Sequence, residues 1–191
     1  MKFISPSNLP PKVRNLVETE IAGEQVLWMD QPIPSRYSRQ AWFLVLFGIP
    51  WTAFSIFWTW GAFSATKLFP NASIALLFPL FGVPFILMGL GMLTSPYWMS
   101  LRAKDTVYIL TQRRAIIISS GWLGALSVRS FEPSRLRDIQ RRQYSDGSGD
   151  IIFVNDFRYD SHGQSYPTHV GFKAIRDVKS VEDLLRSITV S

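Results

Sequence analysis

Two long apolar runs, residues 41–63 and 72–95, divide the chain into three parts, and the residues from 40 to 101 contain one formal charge, Lys67. A helix of 23 residues, the length of the first run, rises about 34 Å and can cross the hydrocarbon core of a bilayer. Because only residues 64–71 separate the runs, the two helices must be antiparallel. The pattern predicts a transmembrane hairpin within residues 41–101.

A buried helical hairpin in a soluble protein is the alternative for these runs. In a chain of 191 residues, so many uncharged residues have little protein to bury against, which disfavours that alternative. Arg36 and Arg39 precede the hairpin and Arg102 and Lys104 follow it. The positive-inside rule therefore predicts a multi-pass membrane protein with both termini in the cytoplasm.

The segment before the hairpin, residues 1–40, reads as an amphipathic helix and a linker. Val13, Leu16, Val17 and Ile21 recur at helical spacing, and Gly23 ends the pattern. Basic and acidic residues balance on the polar side, which favours packing of this helix on the later domain over binding to the membrane surface. A short extended piece, residues 26–28, follows the helix.

Residues 102–191 show short β-type segments separated by turns, then one amphipathic helix. Strands are predicted at residues 106–111, 115–119, 127–132, 138–144 and 150–155, with weaker candidates around residue 158 and at 168–172. The closing helix carries an apolar stripe of Val181, Leu184, Leu185 and Ile188. The predicted fold class is an α+β membrane protein, with a partly open β-barrel of about seven strands closed by the C-terminal helix.

Four sequence motifs resemble motifs of the bacterial pleckstrin-homology-like domains that occur in membrane proteins. They are residues 22–28 (AGEQVLW), 108–114 (YILTQRR), 146–153 (DGSGDIIF) and 171–177 (GFKAIRD), followed by the apolar stripe of the closing helix. Gln112 and Ala22 depart from the Asn and Pro usual in that family. The resemblance implies the same fold around a membrane hairpin, a location in a bacterial inner membrane, and no catalytic residues.

Composition narrows the possible chemistry. The chain has no cysteine, which excludes disulfides, thiol nucleophiles and cysteine-ligated metals. Its two histidines, His162 and His169, lack a metal-binding motif, and the glycine-rich segment 146–150 lacks the Glu of a calcium loop. No Lys/Arg run exceeds two residues despite a net charge of +6, so nucleic acid is not an expected partner. We expect no cofactor, no metal and no enzymatic activity.

Six arginines are the candidate ligand-binding residues: Arg113, Arg114, Arg135, Arg137, Arg141 and Arg142. The first two lie in a tight turn, where they can bind a lipid phosphate or a carboxylate, or simply form a solvated hairpin end. Alternation along a strand sends Arg141 and Arg142 to opposite faces, which argues against one pocket for the other four.

These features predict a non-enzymatic, membrane-anchored binding or scaffold module that engages a protein or peptide partner besides membrane lipids. Two alternatives remain open, an anionic-lipid-binding module and an assembly factor for a photosynthetic or respiratory complex. Self-association into a homo-oligomer also remains open, because small residues in the hairpin allow close helix approach. These residues are Thr52, Ser55, Thr59, Gly82, Gly89 and Gly91.

Overall fold

The computed structural model describes residues 5–66, 77–121, 125–136, 138–159 and 165–189. The chain forms two compact units. Met1–Tyr37 and Ser100–Ser191 together form the first, here called the β unit, and Ser38–Met99 form the second, here called the helix pair. The N-terminal segment thus belongs to the same unit as the C-terminal strands.

In its described residues, the β unit contains seven strands and is a mixed α+β structure. Its elements are α1 (Pro11–Glu20), β1 (Val26–Asp30), α2 (Pro34–Tyr37), β2 (Val107–Thr111), β3 (Ala115–Ser120), β4 (Leu126–Phe131), β5 (Gln140–Gln143), β6 (Gly149–Tyr159), β7 (Ser165–Ile175) and α6 (Val178–Thr189). The helices α3 (Trp42–Thr66), α4 (Leu77–Leu93) and α5 (Ser95–Lys104) lie between α2 and β2 in the chain.

The strands form two antiparallel sheets, ordered β1-β2-β3-β4 and β5-β6-β7. The first five predicted strands are confirmed as β2 to β6, and the two weaker candidates are parts of the long strands β6 and β7. The predicted extended piece before the hairpin is β1, an edge strand that pairs with β2 and places Met29 opposite Ile109.

The predicted α+β class is confirmed, but the sheets are not closed into a barrel: among the described residues, no ladder joins them. The chain leaves β4 through a 3₁₀ turn, Pro133–Leu136. Pro133 has no backbone N–H and cannot continue the ladder, while the side chain of Leu136 is fully buried in the core. The turn therefore starts a second sheet instead of extending the first.

The first sheet is buried on both faces. On one face, Tyr108, Leu110 and Ile117 share a core with Phe172 of the second sheet. On the other, Ile109 and Ile116 belong to a second cluster with α1, whose Val13 and Val17 are fully buried. This arrangement explains the unbroken apolar runs of β2 and β3, and it confirms the predicted packing of the N-terminal helix on the later domain.

The closing helix α6 completes the larger core. Val178, Val181, Leu185 and Ile188 are buried in it, and Leu184 packs at its edge. The predicted apolar stripe is confirmed. Because this stripe packs against both sheets, α6 covers the core that β2, β6 and β7 share.

The helix pair contains the described part of the predicted hairpin. The helical segment Pro34–Thr66 is long and apolar enough to cross a membrane, and 22% of its most apolar window is buried. Among the described residues, a second such segment exists only if α4 and α5 count as one, and they are bent by 51°. Pro96 lacks the N–H that would bond the carbonyl oxygen of Met92, and the Ser95 hydroxyl donates to that oxygen instead (2.6 Å). Residues 72–76 of the predicted second span lie outside the described residues.

Small residues form the seam between the antiparallel helices α3 and α4. A Cβ built on Gly89 would lie 2.2 Å from the Thr52 hydroxyl oxygen, and one on Gly82 would lie 1.9 Å from that of Thr59. The predicted close approach is therefore confirmed at these pairs. Gly91 has no atom within 4 Å of its built Cβ and takes no part in the seam.

Candidate functional site

The β2–β3 turn holds Arg113 and Arg114 in different environments. The hydroxyl oxygen of Thr111 accepts hydrogen bonds from both backbone N–H groups, at 3.2 and 3.0 Å. This local side-chain cap fixes the turn. Arg113 points to solvent, whereas Arg114 is half-buried, so the two do not form a single site.

Arg114 joins the turn to three other segments. Its Nε donates to the Glu24 carboxylate (2.8 Å), its Nη1 to the hydroxyl of Ser130 in β4 (3.0 Å), and its Nη2 to the carbonyl oxygen of Glu20 (3.1 Å). These bonds connect the end of α1 to the first sheet. The Arg114 guanidinium therefore serves the fold, and Arg113 is the member of the pair that faces outward.

The Glu24 carboxylate stays ionised in this contact. Loss of solvent acts to raise its pKa, but hydrogen bonds from Arg114 and Thr111 and the nearby guanidinium charges outweigh that effect. The pKa of Glu24 is consequently lowered from its ordinary value of 4.5. A lowered carboxyl pKa beside an arginine is the expected signature of a stabilising ion pair.

Arg141 takes part in a second ion network, between β5 and α6. Its Nη1 lies 2.8 Å from Oε2 of Glu182. The other oxygen of that carboxylate, Oε1, accepts hydrogen bonds from Nε and Nη2 of Arg186, at 3.0 and 2.8 Å. Only 10% of the Glu182 side chain is exposed. Two arginines on different elements thus meet at one buried carboxylate.

Neither Arg142 nor Arg135 has a described ion pair with Glu182. Arg142 is exposed and pairs across the strands with Asp150 in β6, so Arg141 and Arg142 are separated as alternation predicts. Arg135 is exposed in the 3₁₀ turn after β4. Arg137 lies outside the described residues. The linear cluster of four arginines is therefore not one pocket in the described part of the chain.

Sequence reasoning missed Glu182 and Arg186. Their spacing of four residues on a helix is a recognised ion-pair pattern. A stronger signal was the position of Glu182, one residue after Val181 and four after Val178, on the buried side of α6. A carboxylate on such a side requires a cationic partner, and that requirement points to the arginines of a neighbouring strand.

The β5–β6 turn is a second polar cluster, and its bonds are internal to the β unit. Asp146 Oδ1 accepts the Ser148 hydroxyl (2.7 Å), and Oδ2 accepts a guanidinium N–H of Arg36 (2.5 Å). The Ser148 hydroxyl and then Arg36 hold the pKa of Asp146 below its ordinary value. Gly147, at φ 79°, supplies the left-handed residue that this turn needs. The predicted glycine-rich turn is confirmed.

Other residues that could carry chemistry are dispersed. His169 is exposed in β7, and His162 lies outside the described residues. Within the ranges described, no three His, Asp or Glu side chains gather in a way that could hold a metal ion. The pKa of Tyr108 is raised by burial in the core, so its hydroxyl stays protonated there. The basic networks thus remain the candidate sites.

Comparisons with known proteins give no relative that could assign a role to these networks. The resemblance to bacterial pleckstrin-homology-like domains is therefore still a prediction from the four motifs. No family model matches the chain, and neither a curated protein nor a solved structure matches it.

Proposed function

We propose that the protein is a non-enzymatic, membrane-anchored binding module of a bacterial inner membrane. The helix pair spans the bilayer, and the β unit, with the pleckstrin-homology-like fold that the motifs predict, engages a protein or peptide partner at the cytoplasmic face. Anchoring raises the effective concentration of the β unit toward partners at the membrane, so that a weak contact suffices.

The observation that carries this proposal is the apolar exterior of the helix pair. Of the large hydrophobic side chains exposed in the described residues, all except Tyr144 lie between Trp42 and Trp98. Phe43 and Phe57, for example, are 76% and 67% exposed. Each square ångström of such surface costs about 25 cal/mol in water. A hydrocarbon solvent removes that cost.

The same exterior argues against the soluble alternative. A core helix of a soluble protein is mostly buried, whereas the apolar window in Pro34–Thr66 is 22% buried. Lys67 is the one charge between Arg39 and Arg102. Tyr97 and Trp98, at the end of the apolar segment, are both exposed, which suits side chains at the level of lipid headgroups.

Strand β5 supports the proposed binding role of the β unit. It is an edge strand of the second sheet, and all four of its residues are exposed. An edge strand offers unpaired backbone groups to an incoming extended segment. A partner that adds a strand here needs no rearrangement of either core.

Site-specific photo-crosslinking in native membranes tests this role. A crosslinking residue replaces Gln143 on β5 or, as the matched control, Glu18 on the exposed face of α1. We expect a discrete protein adduct at position 143 that is absent at position 18. Adducts with lipid alone at both positions, or a protein recovered without any adduct, would contradict the proposed partner.

Anionic-lipid binding is a second candidate, and the outward position of Arg113 favours it. The full-length protein in phosphatidylcholine nanodiscs is mixed with separate phosphatidylglycerol vesicles. If this function holds, Arg113→Glu abolishes cosedimentation, whereas Arg142→Glu, the exposed control on β5, does not. Cosedimentation that is equal for both variants counts against a site at Arg113.

A further inference from the structure

The ion network of Arg141, Glu182 and Arg186 has more positive than negative charge. Oε1 of the Glu182 carboxylate accepts hydrogen bonds from Arg186, and Oε2 forms a salt bridge with Nη1 of Arg141. One negative charge therefore lies between two positive charges, which leaves a net charge of +1. From this excess we infer that Arg141 and Arg186, positioned by Glu182, form a binding site for a phosphate group.

Stability alone does not account for the network. Glu182 sits among Val178, Val181 and Leu185 on the buried side of α6. Replacing a buried ion network by apolar side chains of similar size is often neutral or stabilising. Three charged groups at this position are therefore more than the core of the β unit requires, and residues that break a local packing rule are frequently functional.

The geometry leaves donors for a ligand. The described contacts use Nη1 of Arg141 and Nε and Nη2 of Arg186. Both guanidiniums contact the same carboxylate and therefore lie close together. The proposed anion uses the N–H groups that these contacts leave. The side chains of Arg141 and Arg186 are 32% and 62% exposed, so an anion from solution has access.

A phosphate group fits these donors better than a carboxylate does. It carries a charge of about −1.5 to −2 at neutral pH and three strongly accepting oxygens, which can bind two guanidinium forks at once. The neighbouring carboxylate of Asp183 is paired with Lys179 at 2.8 Å and does not neutralise the site. Either free phosphate or the phosphomonoester of a lipid headgroup supplies this chemistry.

Titration of the full-length protein with inorganic phosphate tests the site. The protein is held in phosphatidylcholine nanodiscs at constant ionic strength, and the arginine side-chain NMR signals are followed. We expect saturable shifts of the Arg141 and Arg186 signals. Arg141→Lys and Arg186→Lys keep a cation beside Glu182 but remove the planar guanidinium group with its paired N–H donors. We expect each to weaken phosphate binding at least tenfold. Arg142→Lys, the neighbouring control, leaves the affinity unchanged.

Linear shifts without saturation, or equal weakening by all three variants, overturn the inference. Circular dichroism of each variant verifies that the β unit is folded. Nanodiscs that contain phosphatidic acid then distinguish the two possible ligands. If the lipid competes with inorganic phosphate, the ligand is the lipid headgroup; if it does not compete, the ligand is free phosphate. The site does not depend on the proposed anchoring, since it lies wholly in the β unit.

Discussion

The helix pair and the β unit follow opposite packing rules. In the β unit the large side chains are inside: the rings of Trp28 and Phe172 lie 5.3 Å apart at the centre of the core. In the helix pair the small residues are inside, with Gly89 against Thr52, and the large side chains face outward. Burial of apolar surface from water stabilises the first unit. Close backbone approach stabilises the second, as is typical of helices in lipid.

Polar groups differ between the two regions in the same way. In the helix pair, the hydroxyls of Thr52, Ser55 and Thr59 bond within their own helix; that of Thr52 donates to the carbonyl oxygen of Gly48, at 2.6 Å. In the β unit, the buried carboxylate of Asp30 pairs with Arg176, which is far from it in the sequence. Local bonds suit a segment without water, because every donor must find a partner nearby. Long-range pairs instead fix how distant segments of the β unit meet.

Removal of a large core side chain should have the largest effect. Phe172→Ala should destabilise the β unit by about 3–5 kcal/mol, because it leaves a cavity at the junction of both sheets and α6. Amide hydrogen exchange of β2 and β3 measures this loss. The matched change in the helix pair, Phe57→Ala, removes an exposed ring and should leave that exchange unaltered. Similar effects of both changes would remove the distinction between the two regions.

Addition of a side chain should be the damaging change in the helix pair. Gly89→Val should loosen the seam at a cost of about 1–3 kcal/mol, because its Cβ would lie 2.2 Å from the Thr52 hydroxyl oxygen. Since the chain lacks cysteine, spin labels at positions 63 and 78 report the helix separation without interference. Gly91→Val is the control. A distance distribution that broadens equally in both variants would contradict the seam.

Loss of an ion pair between distant segments of the sequence should have an intermediate effect on the stability of the β unit. Arg114→Ala should destabilise it by about 1–3 kcal/mol, because Glu24 then loses its partner and one carboxylate oxygen already lacks a hydrogen bond. Arg113→Ala should change stability by less than about 0.5 kcal/mol. Chemical denaturation of both variants in the same nanodiscs checks the difference. Equal destabilisation by the two changes would show that Arg114 is not a connecting residue.

The smallest predicted effect is on the pH dependence of stability. The folded-state pKa of Glu24 lies below its ordinary value of 4.5. Its contribution is therefore present above pH 4.5 and is lost as the pH falls through the lowered pKa. Glu24→Gln should flatten that part of the stability curve below pH 4.5. An unchanged curve would mean that the Arg114 contact adds no stability.

Local patterns predicted the elements whose structure depends on nearby residues. The apolar run Tyr108–Leu110 and the run Ala115–Ile118 are strands, and the stripe of α6 is its buried face. The alternation of side chains along a strand was enough to predict that Arg141 and Arg142 lie on opposite faces. These features follow from side-chain periodicity, which acts over a few residues.

Contacts between distant segments were not predictable in this way. Strand β1 completes the first sheet although its partner Ile109 follows Met29 by 80 residues. The change of sheet after Pro133 and the meeting of Arg141 with Arg186 depend in the same way on how two sheets and a helix pack together. Periodicity specifies which face of an element is buried, but it does not specify what covers that face.

The most direct test of the account is the accessibility of single cysteines in intact bacterial spheroplasts. Cysteines are placed at Ser7, Ser64 and Ser187, and each variant is treated with a membrane-impermeant maleimide. We predict that position 64 reacts from outside, while positions 7 and 187 react only after the membrane is permeabilised. Positions 7 and 187 on opposite sides of the membrane, or a protein that remains in the soluble fraction, would contradict the proposed anchoring.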